Sequence, residues 1–320
     1  MKDKSIAVLL PCYNEAPTIA KVVSDFLRVL PDATVYVYDN NSTDGTGEIA
    51  AALGERVVVR RERQQGKGCV VRRMFREIEA DCYLMADGDD TYPAEEAPRL
   101  VSAILDDGCD MAIGDRLSST YFTENKRPFH NFGNRLVRGM VNTIFHGHVR
   151  DIMTGYRAFS YRFVKSTPIL TDRFEVETEM TVHALDQKFS ICEIPVAYRD
   201  RPAGSVSKLH TVRDGARVLR TIFHMFRDYR PLAFYGGFAF LFALAGLLLF
   251  LPVWQEYLAT ALVPRLPTLI VSMVCFQSAL LSFATGSVLE VIIKKDRQSA
   301  QRIQNGIDAA RRERNRNDTE

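Results

Sequence analysis

The sequence lacks paired cysteines and clustered histidines. It contains six cysteines scattered along the chain, with no C-x-x-C motif and no histidine at metal-ligand spacing from them. This absence excludes a small disulfide-stapled fold and gives no sign of a cysteine-histidine metal site. We expect the cysteines to be small buried hydrophobic residues in a reducing compartment. They are Cys12, Cys69, Cys82, Cys109, Cys192 and Cys275.

The chain also has little net charge, +2 over 320 residues. With 47% apolar and 25% charged residues, the composition excludes a disordered or collagen-like chain. The small net charge argues against a nucleic-acid partner. The average conceals opposed segments, because residues 1–198 carry a net charge of −5, residues 199–230 of +5, residues 231–293 of −1 and residues 294–320 of +3.

Charge is almost absent from two long apolar runs near the C-terminus. Residues 232–253 contain no charged residue, and residues 268–293 contain only Glu290. Each run reaches the ~20 residues that a helix needs to cross a ~30 Å hydrocarbon core. The loop between them holds Trp254 and Tyr257, and both residue types favour the membrane interface. We predict a two-helix transmembrane hairpin over residues 232–293 rather than two buried core helices.

The flanking charges predict the orientation of this hairpin. Arg227 and Arg230 precede the first run, and Lys294, Lys295 and Arg297 follow the second. Because positively charged flanks stay on the cytoplasmic side, both termini should be cytoplasmic. The apolar stretch near the N-terminus is too short for a signal peptide. We therefore expect a multi-pass plasma-membrane protein with a cytosolic front domain and a basic cytosolic tail at residues 294–320.

Residues 1–208 alternate between strand and helix patterns. Apolar runs rich in β-branched residues are followed by segments whose apolar residues recur every three or four positions. Repeated βα units predict an α/β domain with a mostly parallel sheet covered by helices on both faces. The predicted strands are residues 5–10, 34–38, 56–60, 82–86 and 111–113, and the predicted helices are residues 19–30, 67–79 and 94–106 with a short helix ending at residue 53.

Four loops after these strands are rich in carboxylates and amides. They are residues 13–15, 39–45, 65–68 and 87–90. Any one of them could be a solvated turn, but parallel strands would bring all four to one edge of the sheet, where ligands bind.

Residues 45–50 also fit G-x-G-x-x-A. Six polar residues separate that pattern from the end of its strand, so we interpret it as an accidental match to a dinucleotide-binding turn.

The fourth loop contains two carboxylates separated by one glycine. Asp87 and Asp89 follow a buried strand and can face the same small volume. Their oxygens could hold Mg²⁺ or Mn²⁺, with phosphate oxygens completing an octahedron. The cation would neutralise a diphosphate that bare carboxylates would repel. D-x-D alone is a weak pattern, and its position after the other loops makes it specific.

Together these motifs resemble family 2 glycosyltransferases, which carry a nucleotide-sugar-binding GT-A domain. The layout is similar to the branch of dolichyl-phosphate mannose synthase and bacterial polyprenyl-phosphate glycosyltransferases, and it spans roughly residues 5–230. The resemblance implies a Rossmann-like, mostly parallel GT-A domain at residues 1–208. It rests on P-x-Y-N-E at residues 11–15, D-x-x-S-T-D at 39–44 and D-G-D at 87–89, and continues through residues 151–157, 174–177, 193–196, 198–201 and 204–209.

The resemblance implies roles for the donor-side residues. Tyr13, Glu15 and Asp39 would hold the base and ribose of the nucleotide sugar, with Pro11 in the same motif. Lys67 would contact the nucleotide or merely cap a loop. The donor-binding candidates also include Asp87 and Asp89, which would hold the diphosphate through Mg²⁺ or Mn²⁺. Thr91 stands where the mannose synthases can carry a metal-binding glutamine, so a third metal ligand is left open.

The acceptor side is assigned to the basic segment. Residues 209–231 are predicted to form an amphipathic juxtamembrane helix, because apolar residues recur by three and four beside an arginine stripe. Simple positive-inside anchoring is the alternative, and we prefer it for Arg227 and Arg230. The resemblance assigns the lipid-phosphate site to Arg157, Arg199, Arg201, Ser205, Ser207 and Lys208.

A phosphate acceptor is largely ionised at neutral pH, so a strong general base is less necessary than for a hydroxyl acceptor. Asp151 and the cluster of Glu175, Glu177 and Glu179 are candidates for positioning or base assistance. On a strand the three glutamates would share one face, and a solvated edge is the alternative. The catalytic candidates are Asp89, Asp151 and Glu177.

The predicted reaction is inverting transfer of a hexose or N-acetylhexosamine from a nucleotide sugar to polyprenyl (undecaprenyl) phosphate at the cytosolic membrane face. UDP-glucose and UDP-N-acetylglucosamine are the favoured donors, and GDP-mannose is the alternative. The product would be a lipid-linked sugar donor for cell-envelope glycans or protein glycosylation. A processive polysaccharide synthase would normally carry Q-x-x-R-W, which is absent. A soluble or protein acceptor and a catalytically silent membrane scaffold are further alternatives, and association into a homo-oligomer is left open.

Overall fold

The computed structural model of the protein describes residues 4–117, 128–172, 175–199, 223–224 and 226–317. The chain forms two compact units, residues 1–218 with 301–320, and residues 219–300. The predicted amphipathic helix at residues 209–231 lies mostly outside the described residues. The stretch 226–229 within it is helical.

The first unit alternates strands with helices, as the apolar periodicity predicts. Its strands are β1 (Ile6–Cys12), β2 (Thr34–Asp39), β3 (Val57–Arg61), β4 (Cys82–Met85), β5 (Met111–Asp115), β6 (Arg157–Ser160) and β7 (Ile191–Pro195). Its helices are α1 (Ile19–Val29), α2 (Thr46–Ala51), α3 (Lys67–Glu77), α4 (Ala97–Leu105), α5 (Pro128–Phe145), α6 (Tyr161–Ser166) and α7 (Val176–Asp186), and a 3₁₀ turn at Ala94–Glu96 leads into α4.

These strands form one sheet in the order β3-β2-β1-β4-β6-β5-β7. β6 is antiparallel to both of its neighbours, and the other pairs are parallel, so the predicted mostly parallel sheet is confirmed. Cys12 pairs with Asp39, and Leu9 pairs with Met85. The carboxyl ends of β1, β2 and β4 therefore meet at one edge of the sheet.

The core lies on both faces of this sheet. Val8, Leu9 and Leu10 of β1 have no exposed surface, as expected of a central parallel strand with helices on both sides. α1 covers one face with a buried stripe at three- and four-residue spacing. The stripe consists of Ile19, Val22, Val23 and Phe26.

One secondary-structure expectation is wrong. The segment around Glu177 and Glu179, considered as a strand, forms the helix α7. All nine residues from 176 to 184 are buried. A helix enclosed on every side has neither the alternation of a strand nor the apolar stripe of a surface helix, so its pattern was ambiguous. The two carboxylates are also buried, which excludes the solvated edge.

The expectation of unpaired cysteines is also corrected for two of the six. A disulfide joins Cys109, just before β5, to Cys192 in β7, with Cα atoms 6.2 Å apart. β5 and β7 are neighbouring strands, and their pairing brings together two residues separated by 83 positions. The side chains of Cys12, Cys69 and Cys82 are buried, as expected.

The second unit holds the two apolar runs as helices. α8 (Pro231–Thr260) and the first part of α9 (Leu266–Asn317) are long and apolar enough to cross a membrane, with mean hydropathies of 2.3 and 1.8. Glycines allow the two helices to approach closely, as is common in membrane hairpins. A Cβ added at Gly246 would lie 3.2 Å from the Cβ of Cys275 and from the Ser272 carbonyl oxygen.

The predicted basic tail continues α9 as a helix to Asn317. Residues 301–320 group with the first unit. There Arg311 pairs with Asp81, and its guanidinium lies 5.2 Å from the centre of the Tyr161 ring. An Asp308 oxygen lies 3.5 Å from Arg162. The helical tail therefore packs against the start of β4 and against α6.

Candidate active site

The loops after β1 and β2 are joined by hydrogen bonds at the carboxyl edge of the sheet. The side-chain oxygen of Asn14 accepts from the Thr43 amide at 2.9 Å, and the Glu15 amide donates to Thr46 Oγ1 at 2.9 Å. Asn14 has φ +54°, a left-handed conformation that asparagine tolerates better than most residues. The predicted donor motif at residues 11–15 thus ends in a fixed turn beside the motif at residues 39–44.

The predicted donor residues on β1 and β2 lie together. Pro11 is opposite Tyr38 in the sheet, and Tyr13 is 38% exposed beyond the end of β1. Glu15 is half-buried in the same loop. Asp39 is buried at the end of β2, where its carboxylate accepts from the Ser42 amide at 3.2 Å.

Asp44 organises this edge, although its particular role was not predicted. Its carboxylate accepts from Thr46 Oγ1 at 2.5 Å and from the Ala16 amide at 2.9 Å. Burial acts to raise the pKa of Asp44, but these hydrogen bonds outweigh it and lower the pKa below its ordinary value. The ionised carboxylate therefore fastens the second loop to the first.

The D-G-D turn follows β4 and faces these loops. Thr18 Oγ1 donates to the Gly88 carbonyl at 2.6 Å, and a Cβ at Gly88 would lie 2.8 Å from Cys12 Sγ. Asp87 is partly exposed, whereas Asp89 is buried and accepts from Thr91 Oγ1 at 2.7 Å. The turn thus leaves the Asp87 carboxylate partly exposed and keeps the Asp89 carboxylate buried.

Lys67 is the first residue of α3, and its side chain lies between two carboxylates. Its Nζ is 2.5 Å from Asp87 Oδ1 and 2.5 Å from Glu177 Oε1. Burial acts to lower the pKa of Lys67, but the two carboxylates outweigh it and hold the pKa above its ordinary value. The structure therefore joins three predicted site residues into one charged group.

Gly155 brings the backbone against this group, and sequence reasoning did not single it out. A Cβ at Gly155 would lie 2.8 Å from Asp87 Oδ2 and 3.1 Å from Lys67 Nζ. The Gly155 amide donates to the Tyr92 hydroxyl at 3.0 Å, which fixes the loop in this position. The motif at residues 151–157, which is part of the resemblance to family 2 glycosyltransferases, contains this glycine and could have drawn attention to it.

Asp151 lies in the same loop, where Arg116 holds it. Asp151 is buried, and its two carboxylate oxygens accept from Arg116 Nε at 2.8 Å and from Nη2 at 3.1 Å. Such a bidentate pair fixes both side chains. Sequence reasoning missed Arg116, although its place directly after β5 was a signal.

Arg157 requires a correction. It was expected to bind the acceptor phosphate, but it has no exposed surface. Its guanidinium donates to the carbonyls of Thr154 and Ile152 at 2.9 and 2.5 Å and to Thr181 Oγ1 at 2.8 Å. Burial lowers its pKa to about 10. The geometry does not support a phosphate contact, because this side chain joins the loop before β6 to α7.

The remaining glutamates of the predicted cluster have separate positions. Glu179 accepts from the Leu170 and Thr171 amides at 2.9 and 3.1 Å, so it holds the loop before α7. Glu175 is the N-cap residue of α7. Only Glu177 of the three contacts Lys67 among the described ion pairs.

Of the predicted acceptor residues after β7, Arg199 is described. Its amide donates to the Thr91 carbonyl at 2.9 Å, and its guanidinium lies 3.2 Å from Glu95 and 3.9 Å from Asp90. It therefore lies beside the D-G-D turn with an exposed side chain. The other predicted residues, Arg201, Ser205, Ser207 and Lys208, lie outside the described residues.

Asp87 and Asp89 are the side chains that could hold a divalent cation. Their oxygens suit Mg²⁺ and Mn²⁺. The described residues contain no group of three or more acidic, cysteine or histidine side chains that could enclose a metal, so a bound diphosphate would have to complete the ligand shell. The glycine at 155 is consistent with a group bound at Asp87, because it leaves open the space beside Asp87 Oδ2 that a Cβ would occupy.

Comparison with known proteins gives a consistent family. The sequence model of glycosyl transferase family 2 matches residues 7–167. The chain is 34% identical to glycosyltransferase AglJ of Haloferax volcanii over 303 residues, which cover 94% of this chain and 97% of that protein. It is 29% identical to the dolichyl-phosphate hexose transferase of the same organism, over 68% of this chain and 92% of that protein.

A relative from a bacterium and a solved structure extend the comparison. The polyprenol monophosphomannose synthase of Mycolicibacterium smegmatis is 27% identical over 63% of this chain and 80% of that protein. The fold matches the crystal structure of Mycobacterium tuberculosis glucosyl-3-phosphoglycerate synthase in complex with Mn²⁺, UDP and glucosyl-3-phosphoglycerate. The TM-score is 0.55 and the identity 23%, over 70% of this chain and 79% of that one. At this identity the likeness concerns the fold.

Proposed function

Because this chain belongs to glycosyltransferase family 2, we propose that it transfers a hexose or N-acetylhexosamine from a nucleotide sugar to polyprenyl phosphate. The observation that carries the proposal is the convergence of Tyr13, Asp39, Lys67 and the D-G-D turn at one edge of the sheet, in a chain with two helices apolar enough to cross a membrane. A soluble acceptor would not explain the arginine-rich segment that leads to those helices.

In the proposed reaction an acceptor phosphate oxygen attacks C1 of the sugar from the side opposite the nucleoside diphosphate. The new bond joins that oxygen to C1, and the bond from C1 to the diphosphate oxygen breaks with inversion. The acceptor is already ionised at neutral pH, so the chain does not have to supply a strong base. Asp151 accordingly acts by orienting Arg116 rather than by removing a proton.

Asp87 and Asp89 would hold Mg²⁺ or Mn²⁺ in this proposal. When bound, the cation would stabilise the negative charge that develops on the departing diphosphate. Tyr13, Glu15 and Asp39 would bind the base and ribose, because they line the ends of β1 and β2 beside the D-G-D turn. Support at the level of the fold comes from the mycobacterial synthase, whose crystal contains Mn²⁺ and UDP.

For the acceptor, Arg199 is the described residue with the required charge and position. It lies at the D-G-D turn, and its side chain is 44% exposed. Arg201, Ser205, Ser207 and Lys208 would complete the phosphate site on the path to the membrane. The relatives named dolichyl-phosphate hexose transferase and polyprenol monophosphomannose synthase support a lipid phosphate as the acceptor.

We favour UDP-glucose or UDP-N-acetylglucosamine as donor, with GDP-mannose as the second candidate because one relative is named a mannose synthase. The reaction would take place at the cytosolic face of the cell membrane, with both termini cytoplasmic. The product would be a lipid-linked sugar for cell-envelope glycans or protein glycosylation.

The test is transfer by the detergent-solubilised full chain. Undecaprenyl phosphate and Mg²⁺ are incubated with a panel of radiolabelled UDP- and GDP-sugars, and lipid-extractable label is measured. We expect label with one donor, its loss in Asp89→Asn, and its retention in Asp107→Asn, a control at an exposed carboxylate in the same unit. Absence of lipid-linked label with every donor would contradict the proposal, and product formed without a divalent cation would contradict its metal step.

A further inference from the structure

We propose that Glu177 is a positioning residue that sets the affinity of Asp87 for its divalent cation by acting through Lys67. The inference rests on the proposed function, because it concerns the cation that would accompany the sugar diphosphate. It assigns a role to a glutamate that contacts Lys67, the ion-pair partner of Asp87, and that the proposed reaction does not use directly.

The geometry shows an unequal pair of carboxylates around one ammonium group. Lys67 Nζ lies 2.5 Å from an oxygen of each carboxylate. The side chains of Lys67 and Glu177 are 9% and 7% exposed, whereas that of Asp87 is 29% exposed. Lys67 therefore has one buried partner, Glu177, and one partly exposed partner, Asp87.

This arrangement has a consequence for cation binding. A buried ammonium group without a carboxylate partner is strongly unfavourable. A dication at Asp87 would withdraw that carboxylate's charge from Lys67 and would repel the ammonium group directly. Glu177 remains as a partner in that state, so Lys67 stays neutralised while Asp87 serves the cation. Without the charge of Glu177, each cation bound would leave Lys67 buried and unpaired.

The backbone of α3 beside Lys67 packs against the loop at residues 171–172. The Gly68 amide donates to the Asp172 carbonyl at 3.1 Å, and a Cβ at Gly68 would collide with the Thr171 carbonyl oxygen. A Cβ added at Gly155 would lie 3.1 Å from Lys67 Nζ, so the loop that contains Gly155 also lies near this side chain. The first turn of α3 is therefore fixed, and in this proposal the local charge balance at Lys67 decides how strongly Asp87 binds a cation.

The experiment measures Mn²⁺ binding directly. The full chain in detergent is titrated with Mn²⁺ in the presence of UDP, with GDP in parallel, and free Mn²⁺ is followed by electron paramagnetic resonance. For Glu177→Gln we expect the Mn²⁺ dissociation constant to rise by roughly 10- to 100-fold, the range typical of residues that support a metal ligand. In sugar transfer the loss should fall on the KM for Mn²⁺, and saturating Mn²⁺ should restore most of kcat.

Two further variants separate this role from a general structural one. Asp110→Asn is the control, because Asp110 is equally buried in the same unit but pairs with Arg162 instead of Lys67. It should leave Mn²⁺ affinity within about twofold of wild type, the scatter we allow for an indirect effect. The double variant Lys67→Met with Glu177→Gln removes the competing ammonium group, and it should bind Mn²⁺ more tightly than Glu177→Gln alone.

The inference is overturned if Glu177→Gln binds Mn²⁺ like wild type, if Asp110→Asn weakens binding equally, or if wild type binds no Mn²⁺. It is also overturned if the double variant binds more weakly than the single one. If Glu177→Gln does not fold, Glu177→Asp keeps the charge at a greater distance and should give an intermediate dissociation constant. Wild type that binds Mn²⁺ but makes no lipid-linked sugar would contradict the proposed function alone.

Discussion

Gly155 brings the backbone close to Asp87, one of the two carboxylates proposed to hold the cation. The Cβ of an alanine there would lie 2.8 Å from Asp87 Oδ2, and the carboxylate, at the end of a flexible side chain, is what would move. We expect Gly155→Ala to fold normally but to lose sugar transfer by about 100-fold or more, since a displacement of 1 Å at a reacting centre has that cost.

The measurement for Gly155→Ala is the rate of lipid-linked label formation, with the thermal unfolding midpoint recorded alongside. Gly139→Ala is the control, because an added Cβ there meets nothing within 4 Å. Equal rates for Gly155→Ala and wild type would mean that Asp87 does not hold its position for catalysis.

At the same scale, sequence reasoning found residues whose chemistry is visible locally. Asp87 and Asp89 were predicted because a polar turn directly follows a buried strand. Arg116 was missed because its function depends on Asp151, 35 positions away. Arg157 was misassigned because an arginine beside a motif looks the same whether it faces a ligand or the core. Burial is decided by the packing of β6 against α7, which no local pattern encodes.

At the scale of elements, the strands and helices from β1 to β5 were predicted to within a few residues. The strands are short apolar runs that are mostly buried, as in β4 and β5, and the helices carry a periodic buried stripe, as in α1. α7 escaped prediction because nine consecutive residues are buried, including two carboxylates. The carboxylates of this helix resemble those of a surface helix in the sequence. In the structure Lys67 pairs with Glu177, and amides of the preceding loop donate to Glu179.

The hairpin of α8 and α9 depends on close contact at Gly246. We expect Gly246→Val to lower the free energy of unfolding of the hairpin by about 1–3 kcal/mol, because the new side chain would collide with Cys275 and Ser272. Gly237→Val is the matched control in the same helix, where an added Cβ meets nothing within 4 Å. Thermal unfolding in detergent compares the two, and equal midpoints would show that the helices do not pack at Gly246.

At the scale of the whole molecule, the net charge of +2 is a cancellation between regions with different tasks. The acidic front of the chain contains the carboxylates proposed to meet a cation and a diphosphate. The basic residues cluster beside the two apolar helices, where an anionic lipid surface would attract them. An average over the chain therefore said little about its partners, whereas the same charges counted by segment separate an acidic front from two basic segments around an almost uncharged one.

That charge distribution also predicts the orientation in the membrane. Arg227, Arg230 and the lysines after residue 293 should stay in the cytoplasm, which places the loop between α8 and α9 on the opposite side. In a Cys275→Ala background, we expect Leu262→Cys to react with a membrane-impermeant maleimide on intact cells, because Leu262 is exposed. Ser299→Cys, beyond the second apolar run, should react only after the cells are permeabilised. Labelling of Ser299→Cys alone on intact cells would reverse the proposed topology and place the D-G-D turn away from cytosolic nucleotide sugars. Labelling of both positions would contradict a single orientation.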